Sequence, residues 1–193
     1  MSTEERLPGW AGPAIILALA LLGGLAGLLA GRAFLAPAPP AHGPDVVAEG
    51  AIAPPLVLRD LQGQQSELTA WQGRPLLINY WATWCPPCVK ELPMLAALHA
   101  EREGEGLAVI TIAQEADPSM VRDFLDRHDQ SQDLPAYIEP PSETDSSRTF
   151  GNLRGVLPYS VLLDAEGRVI KRKAGAFTEL ELAEWAELAR APD

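Results

Sequence analysis

The sequence predicts an α/β domain, a mixed sheet with helices on both faces, behind a separate apolar N-terminal segment. Three observations predict it. Two nearly continuous apolar runs, residues 75–81 (PLLINYW) and 107–112 (LAVITI), suit strands buried on both faces. Stretches with helical spacing alternate with these runs. A hairpin signal, Ala165-Glu166-Gly167-Arg168, joins two further strand candidates near the end.

The elements follow in order. Residues 56–58 read as a short strand before a Gln62-Gly63 turn, and 75–81 as the strongest strand. Residues 87–103 read as a helix, with Leu92, Leu95, Ala96 and Leu98 at helical spacing and Gly104 and Gly106 as stops. The strand 107–112 is followed by an amphipathic helix, 120–128, and a third strand candidate, 134–138. Residues 139–145 (EPPSETD) form an acidic, Pro-containing loop with no assigned role. The hairpin strands are 161–163 and 169–173, and 178–188 is a closing helix with Leu180, Leu182, Trp185 and Leu188 as candidate core positions.

The N-terminal third is different. Residues 7–31 carry no charge, and 14–30 are almost wholly Ala, Ile, Leu and Gly. About 20 apolar residues cross a bilayer, and a soluble helix of that length shows a polar face. The segment is expected to be an uncleaved anchor. The competing reading is a cleaved signal peptide. Against it, Arg6 is offset by Glu4 and Glu5, and the best small-x-small site, Ala36-Pro37-Ala38, runs into Pro39. No Cys follows the segment, which excludes lipoprotein processing. Orientation is weakly encoded, with Arg6 and the amine on one side and Arg32 on the other. Gly23, Gly27 and Gly31 recur every four residues, the spacing of a helix-packing face and of a weak homodimer contact. Pro37, Pro39, Pro40 and Pro44 favour extended chain. The expected organisation is a short tail 1–12, a transmembrane anchor 13–35, a Pro/Ala-rich linker 36–50 and a folded domain 51–193.

Charge narrows the function. Of 193 residues, 15 are Lys or Arg and 26 are Asp or Glu, a net charge of -11. The four charges before residue 37 (Glu4, Glu5, Arg6 and Arg32) cancel, so the whole -11 lies beyond them. Mean hydropathy of +0.01 therefore averages an uncharged segment with an acidic domain. Without a basic cluster, the chain is not expected to bind nucleic acid.

The chemistry lies in Trp84-Cys85-Pro86-Pro87-Cys88, which holds both cysteines of the chain between the strongest strand and the next helix. Two residues between the cysteines place them on one turn, close enough to bridge. Cys85 stands at the helix N-terminus, where unpaired N–H groups and the dipole favour a thiolate. Cys88 lies inside the helix, is expected to be more buried, and can resolve a mixed disulfide. Pro86-Pro87 fits helix initiation and tunes the redox potential. A zinc site would need partners from His42, His99 and His128, which form no ligand pair at the required spacing. Ile78 and Ala82 stand where a peroxidatic cysteine needs Pro and Thr. No metal and no cofactor beyond the dithiol are expected.

The segment Asn79-Tyr80-Trp81-Ala82-Thr83-Trp84-Cys85-Pro86-Pro87-Cys88-Val89-Lys90-Glu91-Leu92-Pro93, with Gly155-Val156-Leu157-Pro158, Val161-Leu162-Leu163-Asp164 and Gly167-Arg168, resembles the membrane-anchored thioredoxin-like disulfide reductases of the TlpA and ResA type. The resemblance covers about residues 50–190. It implies a thioredoxin fold preceded by one transmembrane helix, with the domain on the extracytoplasmic, periplasmic side of the cytoplasmic membrane. It implies Cys85 as attacking thiol, Cys88 as resolving thiol, and Glu91 as the active-site acid. Pro158 takes the place of the cis-proline facing the C-x-x-C, which leaves the Leu157 backbone to pair with substrate. Trp84, Leu157 and Pro158 are thus the candidate substrate-binding residues. Asn79 stands where cytosolic thioredoxins carry a buried Asp. In the cytochrome c maturation branch Glu often follows the cis-proline; here Tyr159 and Ser160 follow.

The expected activity is reduction of extracytoplasmic protein disulfides, with electrons from a membrane thiol-relay protein. Two alternatives are a thiol oxidase of the same fold and a Cu(I)-handling module. Copper chaperones of related fold space their cysteines by three and add a His, and neither feature occurs here. With no third Cys, the next electron partner is another molecule.

Overall fold

The computed structural model describes residues 18–24, 46–102, 106–128, 133–142 and 144–190. The chain divides into two units, Met1–Gly43 and Pro44–Asp193. In the first, residues 18–24 are helical. Among the described residues no helix is long and apolar enough to cross a membrane. The rest of the expected anchor, with Gly27 and Gly31, lies outside the described residues.

In the second unit the two apolar runs become the central strands of the sheet. In chain order the strands are β1 (Val57–Asp60), β2 (Gln65–Glu67), β3 (Leu76–Trp81), β4 (Ala108–Ala113), β5 (Ala136–Ile138), β6 (Tyr159–Leu163) and β7 (Val169–Ala174). The helices are α1 (Pro86–Arg102), α2 (Pro118–Asp126), the single turn α3 (Ser146–Thr149) and α4 (Glu179–Leu188). Across the sheet the order is β2-β1-β5-β4-β3-β6-β7. β3 runs parallel to β4 and antiparallel to β6, so the sheet is mixed. Every residue of β3 and β4 is buried, as strands covered on both faces require.

Alternation along β3 separates the two cores. Leu77 and Trp81 pack with Leu92 and Leu95 of α1, Val121 and Phe124 of α2, and Leu182 and Trp185 of α4. Leu76, Ile78 and Tyr80 pack on the other side with Leu68, Phe150 and the half-buried Leu56 and Trp71. The three longer helices thus share one face. The other is covered by the 3-10 turn Leu68–Trp71, by Phe150 after α3, and by chain preceding β1. The cause is topological: β3–α1–β4 and β4–α2–β5 are parallel crossovers stepping the same way across the sheet. Right-handed connections then place both helices on one side.

Residues 46–50, read from sequence as the end of the linker, bond to the domain. Val47 N–H donates to Thr149 O (2.9 Å), and Gly50 N–H to Val169 O (2.8 Å). In α4, Leu182 and Trp185 are buried as expected, but Leu180 and Leu188 are 70% and 39% exposed. At 100° per residue, Leu180 and Leu182 lie about 200° apart and cannot face one core. Ala186 and Ala189 complete the buried stripe instead.

Candidate active site

Strand β3 delivers the chain to the carboxyl end of the sheet, and the turn after Trp81 opens directly into α1. The Cys85 carbonyl accepts the first helical bond from Val89 N–H (3.1 Å), which makes Cys85 the N-cap of α1. Its Sγ accepts from Cys88 N–H at 3.4 Å, the place an N-cap oxygen normally takes. The two Sγ atoms are bonded at 2.07 Å, with the Cα atoms 5.3 Å apart. Cys88 is fully buried and Cys85 nearly so. Pro86 and Pro87 are exposed in the first turn, and that turn contains no acidic side chain. Trp84 stands out beside the pair, 65% exposed.

Glu91 lies three residues after Cys88 on α1 and is buried against the sheet. Its Oε1 accepts from Asn79 Nδ2 at 2.8 Å, and its Oε2 from Phe177 N–H at 2.8 Å. Asn79 Nδ2 also donates to Ser160 Oγ at 3.0 Å. Asn79 Oδ1 has no hydrogen-bond partner among the described residues. Asn79, Ser160 and Lys173 stand in register across β3, β6 and β7. Burial pushes the Glu91 carboxyl above the usual carboxylate range. The bonds from Phe177 and Asn79 and the charge of Lys173 oppose that shift.

The Leu157–Pro158 peptide is cis. It lies just before Tyr159, which pairs with Tyr80 near the end of β3, so it shares the end of the sheet that carries the cysteines. Leu157 packs on the same apolar cluster as Cys85 and Cys88. The fold thus gathers Trp84, Cys85, Pro86, Pro87, Cys88, Glu91, Leu157 and Pro158 toward one end.

Two further residues were missed. Glu115 accepts from Thr83 N–H (3.0 Å) and Thr83 Oγ (2.6 Å), and so braces the turn that carries Trp84. Its signal was a polar pair, Gln114-Glu115, at the carboxyl end of a buried strand, where open α/β sheets build sites. Phe177 acts through its backbone N–H, which no side-chain pattern reveals. Among the described residues no group of three His, Cys, Asp or Glu side chains is placed to hold a metal ion. His128 stacks on Phe124 with ring centroids 4.0 Å apart.

A bridged cysteine pair capping the helix that leaves the central strand, with a cis-proline at the same sheet end, defines a thioredoxin-fold thiol–disulfide oxidoreductase. Comparison with known proteins agrees. The Redoxin family matches residues 48–188. The thiol-disulfide oxidoreductase ResA of Bacillus thuringiensis subsp. konkukian is 32% identical over 136 residues, 70% of this chain and 75% of that protein. ResA of Bacillus subtilis is 28% identical over 148 residues, 76% of this chain and 78% of that protein. The crystal structure of a thiol:disulfide interchange protein from Chlorobium tepidum superposes with a TM-score of 0.64 at 21% identity, covering 75% of this chain and 99% of that one. The chain belongs to the Redoxin family and is of the ResA/TlpA type.

Proposed function

We propose that this oxidoreductase works as a reductase of extracytoplasmic protein disulfides, with Cys85 and Cys88 as its reacting groups. The Cys85 thiolate attacks one sulfur of the substrate disulfide. A mixed disulfide forms as the substrate S–S bond breaks, and the other substrate sulfur leaves as a thiolate that takes a proton from water. The Cys88 thiolate then attacks Cys85 Sγ, closes the bridge and releases the second substrate thiol. Two electrons pass from the dithiol to the substrate. Glu91 takes the proton that Cys88 loses and returns it when the bridge is reduced again. Trp84 and the Leu157–Pro158 edge receive the substrate chain, and Pro86-Pro87 sets the potential.

The observation that carries this reading is the bonded pair at the N-cap of α1, with a buried carboxyl one turn further on whose pKa burial raises. The rest follows from the sequence. The apolar segment 13–35, whose one charge is Arg32, tethers the domain to the cytoplasmic membrane on its outer side, and the Pro/Ala-rich residues before 46 space it from the surface. Gly23, Gly27 and Gly31 offer a homodimer face in the bilayer. A thiol-relay membrane protein re-reduces the bridge, since the extracytoplasmic space lacks a reducing pool.

The test is insulin reduction with dithiothreitol, together with the equilibrium potential against glutathione. A reductase catalyses the first and has a potential below about -200 mV. A potential near about -120 mV, the value of a strong oxidant, contradicts the direction proposed here.

A further inference from the structure

Two acidic residues of the loop that follows β5, Glu139 and Asp145, root a polar network that leads to the chain just before Pro158. Glu139 follows β5, and its carboxylate accepts from Ser146 N–H (3.0 Å) and Ser146 Oγ (2.5 Å). Asp145 is buried. Its Oδ1 accepts from Ser147 N–H (3.0 Å), Ser147 Oγ (2.6 Å) and Gln114 Nε2 (3.1 Å). These bonds tie α3 to the end of β4. From there Ser147 O accepts from Asn152 N–H at 2.9 Å.

Asn152 is 3% exposed. Its Oδ1 accepts from Val156 N–H at 2.8 Å, and its Nδ2 donates to Val156 O at 2.9 Å. One side chain therefore holds both backbone groups of Val156, two residues before Pro158. Among the described residues the backbone groups of the next residue, Leu157, make no hydrogen bond. The pattern is a clamped residue followed by a free edge.

We propose that Asn152 is a positioning residue for the substrate. By clamping Val156 it presents the unpaired edge of Leu157 to the backbone of an extended peptide disulfide. Glu139 and Asp145 serve as the fixed end of that clamp. This rests on the reading that Leu157 receives the substrate chain, and the test separates the two.

The probes are a cystine-bridged peptide, the same peptide N-methylated on the residues flanking its cysteines, and cystamine, a disulfide without a peptide backbone. In the unmodified enzyme, N-methylation lowers kcat/KM by about tenfold, the value of one or two hydrogen bonds. In Asn152→Ala the unmethylated peptide loses about the same factor through KM, the methylation penalty disappears, and the cystamine rate and redox potential are unchanged. Asn152→Asp keeps the acceptor for Val156 N–H, loses the donor, and falls between the two; it carries the test where the alanine variant does not fold. An enzyme indifferent to N-methylation overturns the pairing reading, and the clamp with it. A methylation penalty that survives in both Asn152 variants overturns the clamp alone. So does an equal loss toward peptide and cystamine, which marks a general structural effect.

Discussion

Asn79 Nδ2 donates a 2.8 Å hydrogen bond to Glu91 Oε1, joining the central strand to the cysteine-bearing helix across 12 residues of sequence. Asn cannot carry a charge, so the one ionisable group of this pair is Glu91, and burial holds its proton above the usual carboxylate range. In the proposed mechanism this carboxyl, one turn from Cys88 on the same helix and buried, receives the Cys88 proton.

The first prediction concerns rate. For Cys88 to be deprotonated by Glu91, Glu91 must be ionised, so insulin reduction rises with pH through a midpoint above 4.5. Glu91→Gln removes that limb and lowers kcat by about a hundredfold. An unaltered pH profile in the variant contradicts the assignment.

The second concerns stability, and its sign is fixed by the same shift. The folded protein binds the Glu91 proton more tightly than the unfolded chain does. The stability this gives is complete below the ordinary value of 4.5 and is lost as pH rises through the raised folded value. Glu91→Gln stays neutral throughout, and a rotated Asn79 amide can offer its unpartnered Oδ1 to the new amide. Urea unfolding of both oxidised proteins gives a variant-minus-wild-type difference that grows as pH rises above 4.5. A flat difference counts against a buried Glu91 whose pKa is raised in the folded protein.

The third concerns the start of α4. Thr178 Oγ accepts from Glu181 N–H at 3.3 Å, and Glu181 Oε2 accepts from Thr178 N–H at 2.8 Å, a reciprocal capping box. Lys173 Nζ lies 2.8 Å from Glu181 Oε1, and these partners hold the Glu181 carboxyl down to about 2. Phe177, whose N–H binds Glu91, immediately precedes this cap. Thr178→Ala costs about 1 kcal/mol in denaturant unfolding and loosens Phe177, which shows as faster amide exchange there. Unchanged exchange at Phe177 separates the cap from the site.

The fourth concerns the exposed indole. Trp84 is 65% exposed, so it adds little to the core. Trp84→Ala leaves the unfolding free energy within about 0.5 kcal/mol and raises KM for insulin. A loss of stability with KM unchanged assigns Trp84 to the fold instead.

What could be read in advance depended on how local the cause was. The cysteine pair, its helix and strands β3 and β4 were legible, because contiguous residues carry both chemistry and burial. The mixed thioredoxin architecture followed from those strands and the family resemblance. The short strand β2 and the one-turn α3 were missed; three or four residues leave no period to detect. Leu180 and Leu188 are apolar yet exposed, because their angles on the helix lie away from the stripe of Leu182, Trp185 and Ala186. The supports of the site were the least visible. Phe177 reaches Glu91 across 86 residues through a backbone N–H, and Thr83 meets Glu115 across 32. No spacing rule pairs residues that only the folded sheet brings together.

In the proposed reaction Cys85 attacks and Cys88 resolves. The most direct measurement is intact-mass analysis of Cys88→Ser and Cys85→Ser after incubation of each reduced variant with a disulfide-bonded protein. The expected result is a covalent adduct of one substrate on Cys88→Ser, linked through Cys85 and released by dithiothreitol, and none on Cys85→Ser. An adduct on Cys85→Ser with none on Cys88→Ser would contradict it.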